Sequence, residues 1–327
     1  MNERVNLVRR LAGFSTLPFL AAVLPLIALP IVSRPIDDAQ WTAVNVGLAV
    51  GAIASAVALV GWNVLGTPLV ALASSQREKE DLYARSFYIR AVVAVCSSIV
   101  ASLVCIWVAP NSAVAVAVAF AVATTLNGIG LSWYAVGVSS PAIIVWYEVV
   151  PRGVATAIAI FVVPLTRDAL WYGLLLCFAA VGGTLAFHIV TLKRLLPPLP
   201  RFAVLLADVA DMKAAWGVEA AGNLYANAPV PIASGLSTVA GAAAFSSTDK
   251  IYRYGTLGIS AAGNAFQGWV LETRGHEDRR RRNLVALVGM TVIGAAGWFF
   301  LAFAGPWVSA VLFGAENQGD PTAFHFY

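Results

Sequence analysis

An all-α, polytopic bundle of membrane-crossing helices is the fold class this chain predicts. Three observations carry it: an apolar composition, recurring long apolar runs, and basic residues gathered on one side of the layout. Hydrophobic residues make up 59% of the 327 positions and charged residues 12%, about half the charge share of a soluble domain. Mean hydropathy is +0.78. The runs recur near the ~20 residues a helix needs to cross a hydrocarbon layer, which overrides the one or two soluble domains that length alone suggests.

Nine spans are predicted, at 11–32, 42–72, 91–109, 113–134, 141–164, 169–191, 216–238, 243–270 and 284–304. The first follows Arg9 and Arg10; its apolar length and the spans after it separate it from a cleaved secretory signal. The second is long enough to tilt, or to break near Gly61. Short connectors, Pro110-Asn-Ser112 and Thr166-Arg-Asp168, alternate with polar segments at 74–90, 192–213 and 272–282. Arg4, Arg9 and Arg10, then Arg77, Lys79, Arg85 and Arg90, then Lys193, Arg194, Arg201 and Lys213, then Arg274 and 279–282 fall on one side, sixteen of the 21 basic residues. Cytoplasmic loops retain Lys and Arg, so the N-terminus is expected inside. The net charge of +4 and pI near 9.1 suit anionic headgroups, and the run Arg279 to Arg282 reads as a topology anchor with no nucleic-acid partner.

The fifth span carries Glu148, Pro151 and Arg152. Near the bilayer centre a charged side chain costs roughly 2.5–3.5 kcal/mol on insertion scales, so lipid exposure is not their home. Glu148 and Arg152 are four apart, about 40° around a helix with the acid first, and are expected to pair. Pro151 deprives the Tyr147 carbonyl of its helical partner, which predicts a kink and a free acceptor. The alternative is an interfacial anchor with Trp146 and Tyr147 as belt aromatics. In the eighth span, Asp249 and Arg253 are expected to pair while Lys250 points about 100° away, leaving a net positive island that is expected to line a cavity, the alternative being an interfacial anchor. Glu219, with Asn223, Tyr225 and Asn227 nearby, balances these cations or takes a proton; the alternative is a helix-end residue near Lys213.

Gly51, Ala54 and Ala58 share one face, Gly182 and Gly183 lie in the sixth span, and Pro229 and Pro231 interrupt the seventh. Such residues give close helix contacts and bends, and beside cavity-directed charges they fit a transporter that alternates between two access states. Cys96, Cys105 and Cys177 read as small apolar residues, and neither they nor His188, His276 and His325 have metal-ligand or catalytic spacing. No cofactor and no enzymatic centre are expected.

Six stretches follow one another in a recognisable order. They are Gly61-Trp-Asn-Val-Leu-Gly-Thr67 with the charged segment after it, Leu131-Ser-Trp-Tyr-Ala-Val-Gly137, Arg152, Leu224-Tyr225, Thr248-Asp-Lys-Ile-Tyr-Arg253 and Val311-Leu-Phe-Gly314. Their order and spacing resemble the polysaccharide or O-antigen flippases of the multidrug/oligosaccharidyl-lipid/polysaccharide exporter superfamily over nearly the whole chain. The resemblance implies a MATE-like bundle of two six-helix lobes around a central cavity, carrying polyprenyl-pyrophosphate-linked oligosaccharide across the inner membrane for cell-surface polysaccharide, such as lipopolysaccharide. It implies a first lobe at 1–192, a cytoplasmic linker at 193–215, and at 216–327 three helices of a second lobe, incomplete and C-terminally truncated relative to the family.

On that resemblance Arg152, Lys250, Arg253 and Asn63 contact substrate, and Glu148, Glu219 and Asp249 serve coupling or charge balance. Basic side chains replace part of the water that a pyrophosphate loses. The implied partners are the lipid-linked oligosaccharide, membrane lipids and polysaccharide-assembly proteins. Two other classes stay open: an exporter of peptidoglycan precursor or drug cations, which a cationic cavity disfavours for the drugs, and a membrane-embedded glycan polymerase or acyltransferase. The latter would carry a large soluble loop or a cluster of acids and histidines.

Overall fold

The computed structural model describes residues 30–271, 276–314 and 318–319, and the regular elements among them are all helical. Six stretches are long and apolar enough to cross a membrane: Asp38–Leu72, Gln76–Val108, Asn111–Gly137, Pro141–Thr166, Leu170–Leu192 and Arg280–Phe313. Each coincides with a predicted span, so the chain has the helices of a multi-pass membrane protein. The predicted span at 11–32 lies almost wholly outside the described residues, as do Arg4, Arg9, Arg10 and Arg274. The predicted spans at 216–238 and 243–270 are helical but are not among the six.

Contacts divide the chain into two units, Met1–Leu236 and Ser237–Tyr327. In the first, helix α1 (Asp38–Leu59) starts at Asp37, whose carboxylate accepts from the Gln40 N–H at 2.8 Å. It is buried nearly all round because small residues let neighbours approach. A Cβ on Gly51 would lie 2.6 Å from the Ala121 carbonyl of α4 (Val114–Thr125), and the Ala58 methyl sits as close to the Gly128 position. Val60 and Gly61 then take left-handed backbone at φ 50° and 74°, ending α1 and starting α2 (Trp62–Leu72), so the break expected near Gly61 is present.

Helix α3 (Gln76–Val108) overturns the loop expected at 74–90. Ser75 caps it by accepting from the Glu78 N–H, while the Glu78 carboxylate accepts from the Ser74 N–H at 2.8 Å, a capping-box arrangement. The charged run is therefore the first four turns of a helix about 50 Å long. Its polarity reads as a loop because lipid excludes it, yet nothing in it stops a helix outside lipid.

The predicted span at 113–134 is interrupted: α4 ends in a 3₁₀ turn, Leu126–Ile129, and a short helix α5 (Ser132–Gly137) follows. Next come α6 (Pro141–Ile144), a π-helical turn Val145–Val149, and α7 (Val150–Thr166). The turn into α8 (Leu170–Phe187) is clamped by one amide side chain: Gln40 donates to the Arg167 carbonyl at 3.0 Å and accepts from the Ala169 N–H at 2.9 Å. A second π turn, His188–Leu192, closes α8. Helices α9 (Phe202–Asn227) and α10 (Pro229–Leu236) pack within this first unit, against α1 and α3. In the second unit α11 (Val239–Leu271) packs against α12 (His276–Phe313).

Candidate functional site

The interruption between α4 and α5 leaves backbone groups without helical partners inside a membrane-crossing stretch, and lipid cannot supply any. Two charged side chains supply them. Arg90, fully buried on α3, donates through Nη1 to the carbonyls of Gly128 (3.1 Å) and Gly130 (2.8 Å), and its guanidinium carbon lies 5.4 Å from the centroid of the Trp133 ring. Glu148, from the π turn before α7, accepts from the Leu131 N–H and from the Ser132 hydroxyl (2.9 Å). A cation thus meets the carbonyl end of one helix and an anion the N–H end of the next, the arrangement the helix dipoles favour.

This corrects the expected pairing of Glu148 with Arg152. Among the described residues the ion pairs are Arg85 with Asp208 and Asp81, and Arg253 with Asp249. Arg152 donates instead to the side-chain carbonyl of Asn127 at 2.7 Å. A neutral amide oxygen is its partner, and Arg152 makes no ion pair among the described residues. Arg152 and Glu148 border a recess of about 10 Å³ with Tyr147, Gly130 and Thr184, the size of one water.

The free Tyr147 carbonyl predicted from Pro151 finds its neighbour in α8. A Cβ at Gly183 would overlap it, whereas one at Gly182 would meet nothing within 4 Å. The backbone bends here by a π turn, with the Val150 N–H reaching back to the Val145 carbonyl.

The two Trp-containing motifs, 70 residues apart in sequence, pack on one another. Trp62 and Trp133 lie 5.2 Å apart, and a Cβ on Gly66 would fall 2.6 Å from the Trp133 ring and 2.8 Å from that of Trp62. The Thr67 hydroxyl donates to the Trp133 carbonyl at 3.1 Å. On the other side of the α1–α2 break, the Trp216 indole donates to the Val57 carbonyl at 2.8 Å, which brings Glu219 of α9 near the Asn63 side chain. The second oxygen of Glu219, Oε2, is buried without a partner.

In the second unit Ser246, Ser247, Thr248 and Asp249 are buried, and Asp249 pairs with Arg253 as its spacing predicts. Lys250 has no ion-pair partner among the described residues and carries the island's surplus charge.

Sequence reasoning missed several residues here. Arg90 and Arg85 are counted above as loop cations; Arg90 is fully buried and Arg85 makes a two-point ion pair with Asp208 of α9. His188, set aside as uninformative, is buried, with Nδ1 3.1 Å from the Leu195 carbonyl and Nε2 2.8 Å from the Tyr83 hydroxyl. A carbonyl only accepts, so Nδ1 carries the proton and Nε2 accepts from Tyr83. Cys105 is buried as expected, but Cys96 is exposed, along a cleft of about 880 Å³ between α1, α3, α9 and α10. Val50, Ile53, Val100, Val104, Leu224 and Ile232 are among its apolar walls, and among the described residues no charged one lines it.

Comparison with known proteins finds no matching family model, characterised protein or solved structure.

Proposed function

We propose that this chain is a transporter that moves a polyprenyl-pyrophosphate-linked oligosaccharide across the inner membrane, the activity implied by its resemblance to the polysaccharide flippases. Arg152 carries the reading: a cation on a membrane-crossing helix, hydrogen-bonded to the neutral Asn127 while the nearby carboxylate of Glu148 serves the α4–α5 joint. A cation without an ion-pair partner on a helix long and apolar enough to cross a membrane has a use for an anion, and a pyrophosphate supplies one. Within the second unit Asp249 balances Arg253 and Lys250 is the surplus cation.

Glu219 is the acid for coupling, because the side chain near it, Asn63, is neutral and one of its oxygens is buried without a partner. The apolar cleft in the first unit has the chemistry a hydrocarbon tail requires. An N-terminus on the cytoplasmic side, which the distribution of basic residues favours, belongs to the same reading.

Native mass spectrometry of the purified chain with polyprenyl pyrophosphate and with the uncharged polyprenol tests it. The pyrophosphate should bind in preference, and Arg152→Gln should erase much of that preference. Equal binding of the two lipids contradicts the proposal.

A further inference from the structure

The stretch from Lys193 to Leu206 joins the end of α8 to the first turns of α9 and contains Lys193, Arg194 and Arg201 but no acid. All three cations are exposed. So are Leu195, Leu196, Leu199, Phe202 and Leu206, with Leu199 and Phe202 at 77% and 73% exposure. Such a density of large apolar side chains has no place in water, and the cations among them have none in hydrocarbon. A surface that satisfies both lies at the boundary between headgroups and acyl chains.

The stretch is held in place from below. Lys193 ends the π turn in left-handed backbone, the Leu195 carbonyl accepts from His188, the Tyr88 hydroxyl donates to the Pro197 carbonyl at 2.7 Å, and Asp208 one turn on is clasped by Arg85. Pro197 is buried while Pro198 and Leu199 face outward. These anchors spare the stretch much of the ordering entropy that a free linker would lose on binding a surface. They also separate it from a run of loop cations whose only task is to set orientation.

We propose that residues 193–206 form a preformed ledge for anionic phospholipid headgroups, with Lys193, Arg194 and Arg201 contacting phosphate and the outward leucines and Phe202 set into the acyl boundary. Zwitterionic lipid satisfies the apolar side chains equally well; the acid-free set of three cations is what demands net negative headgroups. This inference does not depend on what the chain transports.

The test uses the full chain with Cys96, Cys105 and Cys177 replaced by alanine and Leu199→Cys carrying an environment-sensitive fluorophore, in phosphatidylcholine nanodiscs. Spin-labelled phosphatidylglycerol should quench the fluorophore at a mole fraction at least about fivefold lower than spin-labelled phosphatidylcholine. The preference should disappear in K193Q/R194Q/R201Q and persist in R194K/R201K, which keeps the charge. Equal quenching by the two lipids overturns the proposal, as does a preference that survives the triple glutamine variant. A fluorophore that neither lipid reaches also overturns it, since a protein surface would then cover the ledge.

Discussion

Glu148 and Arg152 stand four residues apart across a π turn and do not pair: the carboxylate turns to the Leu131 N–H and the Ser132 hydroxyl, and the guanidinium to the Asn127 amide. Their losses should therefore differ. Glu148→Ala removes two charge-assisted hydrogen bonds and orphans a backbone N–H, costing roughly 2–4 kcal/mol, while Arg152→Gln, which gives up one charge-assisted bond and orphans no backbone group, should cost less, about 1–2 kcal/mol. Thermal unfolding in detergent reads both. Equal losses, with no further loss in the double variant, would restore the ion pair.

Arg90 should be the most sensitive cation in the first unit. Arg90→Ala leaves the Gly128 and Gly130 carbonyls buried without their donor and should destabilise by roughly 3 kcal/mol or more. Arg90→Lys keeps charge but not the two-point geometry, and should fall between. Unfolding midpoints of the three chains check the order; a lysine variant as weak as alanine would mean that charge at this position contributes nothing.

Gly183 and Gly182 offer a matched pair. A methyl at Gly183 overlaps the Tyr147 carbonyl and should cost about 1–3 kcal/mol by forcing α7 from α8. A methyl at Gly182 enters open space and should be neutral or stabilising by up to about 1 kcal/mol through helix propensity. Comparable effects of Gly183→Ala and Gly182→Ala would remove the close approach from this account.

Arg85 and Asp208 tie α3 to α9, with side chains 23% and 9% exposed. A double-mutant cycle with Arg85→Gln and Asp208→Asn should return a coupling of about 1–2 kcal/mol, above that of an exposed surface pair. Coupling near zero would mean α9 is held by its apolar face alone.

What the sequence revealed follows from which interactions are local. Six membrane-length helices, the break at Gly61 and the Asp249–Arg253 pair rest on apolar run length, backbone freedom and i,i+4 spacing, and each is present. The π turn follows in kind from Pro151, and Gly183 of α8 packs close to the Tyr147 carbonyl. The partners of Glu148, Arg90 and Arg152 do not, because they are backbone, amide and hydroxyl groups at and beside a helix interruption, 126–132, brought close only by packing. Spacing makes Glu148 and Arg152 available to each other; the unpaired backbone of that joint outcompetes Arg152 for the carboxylate. The charged turns of α3 misled for a related reason, since hydropathy marks where lipid ends and says nothing about where a capped helix does.

Transbilayer movement of a fluorescent polyprenyl-pyrophosphate oligosaccharide in proteoliposomes probes most directly whether Arg152, which makes no ion pair among the described residues, serves an anionic cargo. The chain should move the lipid faster than protein-free vesicles do, and Arg152→Gln should slow it by at least about tenfold at unchanged folded fraction. Movement no faster than in empty vesicles, or undiminished in Arg152→Gln, would contradict that role.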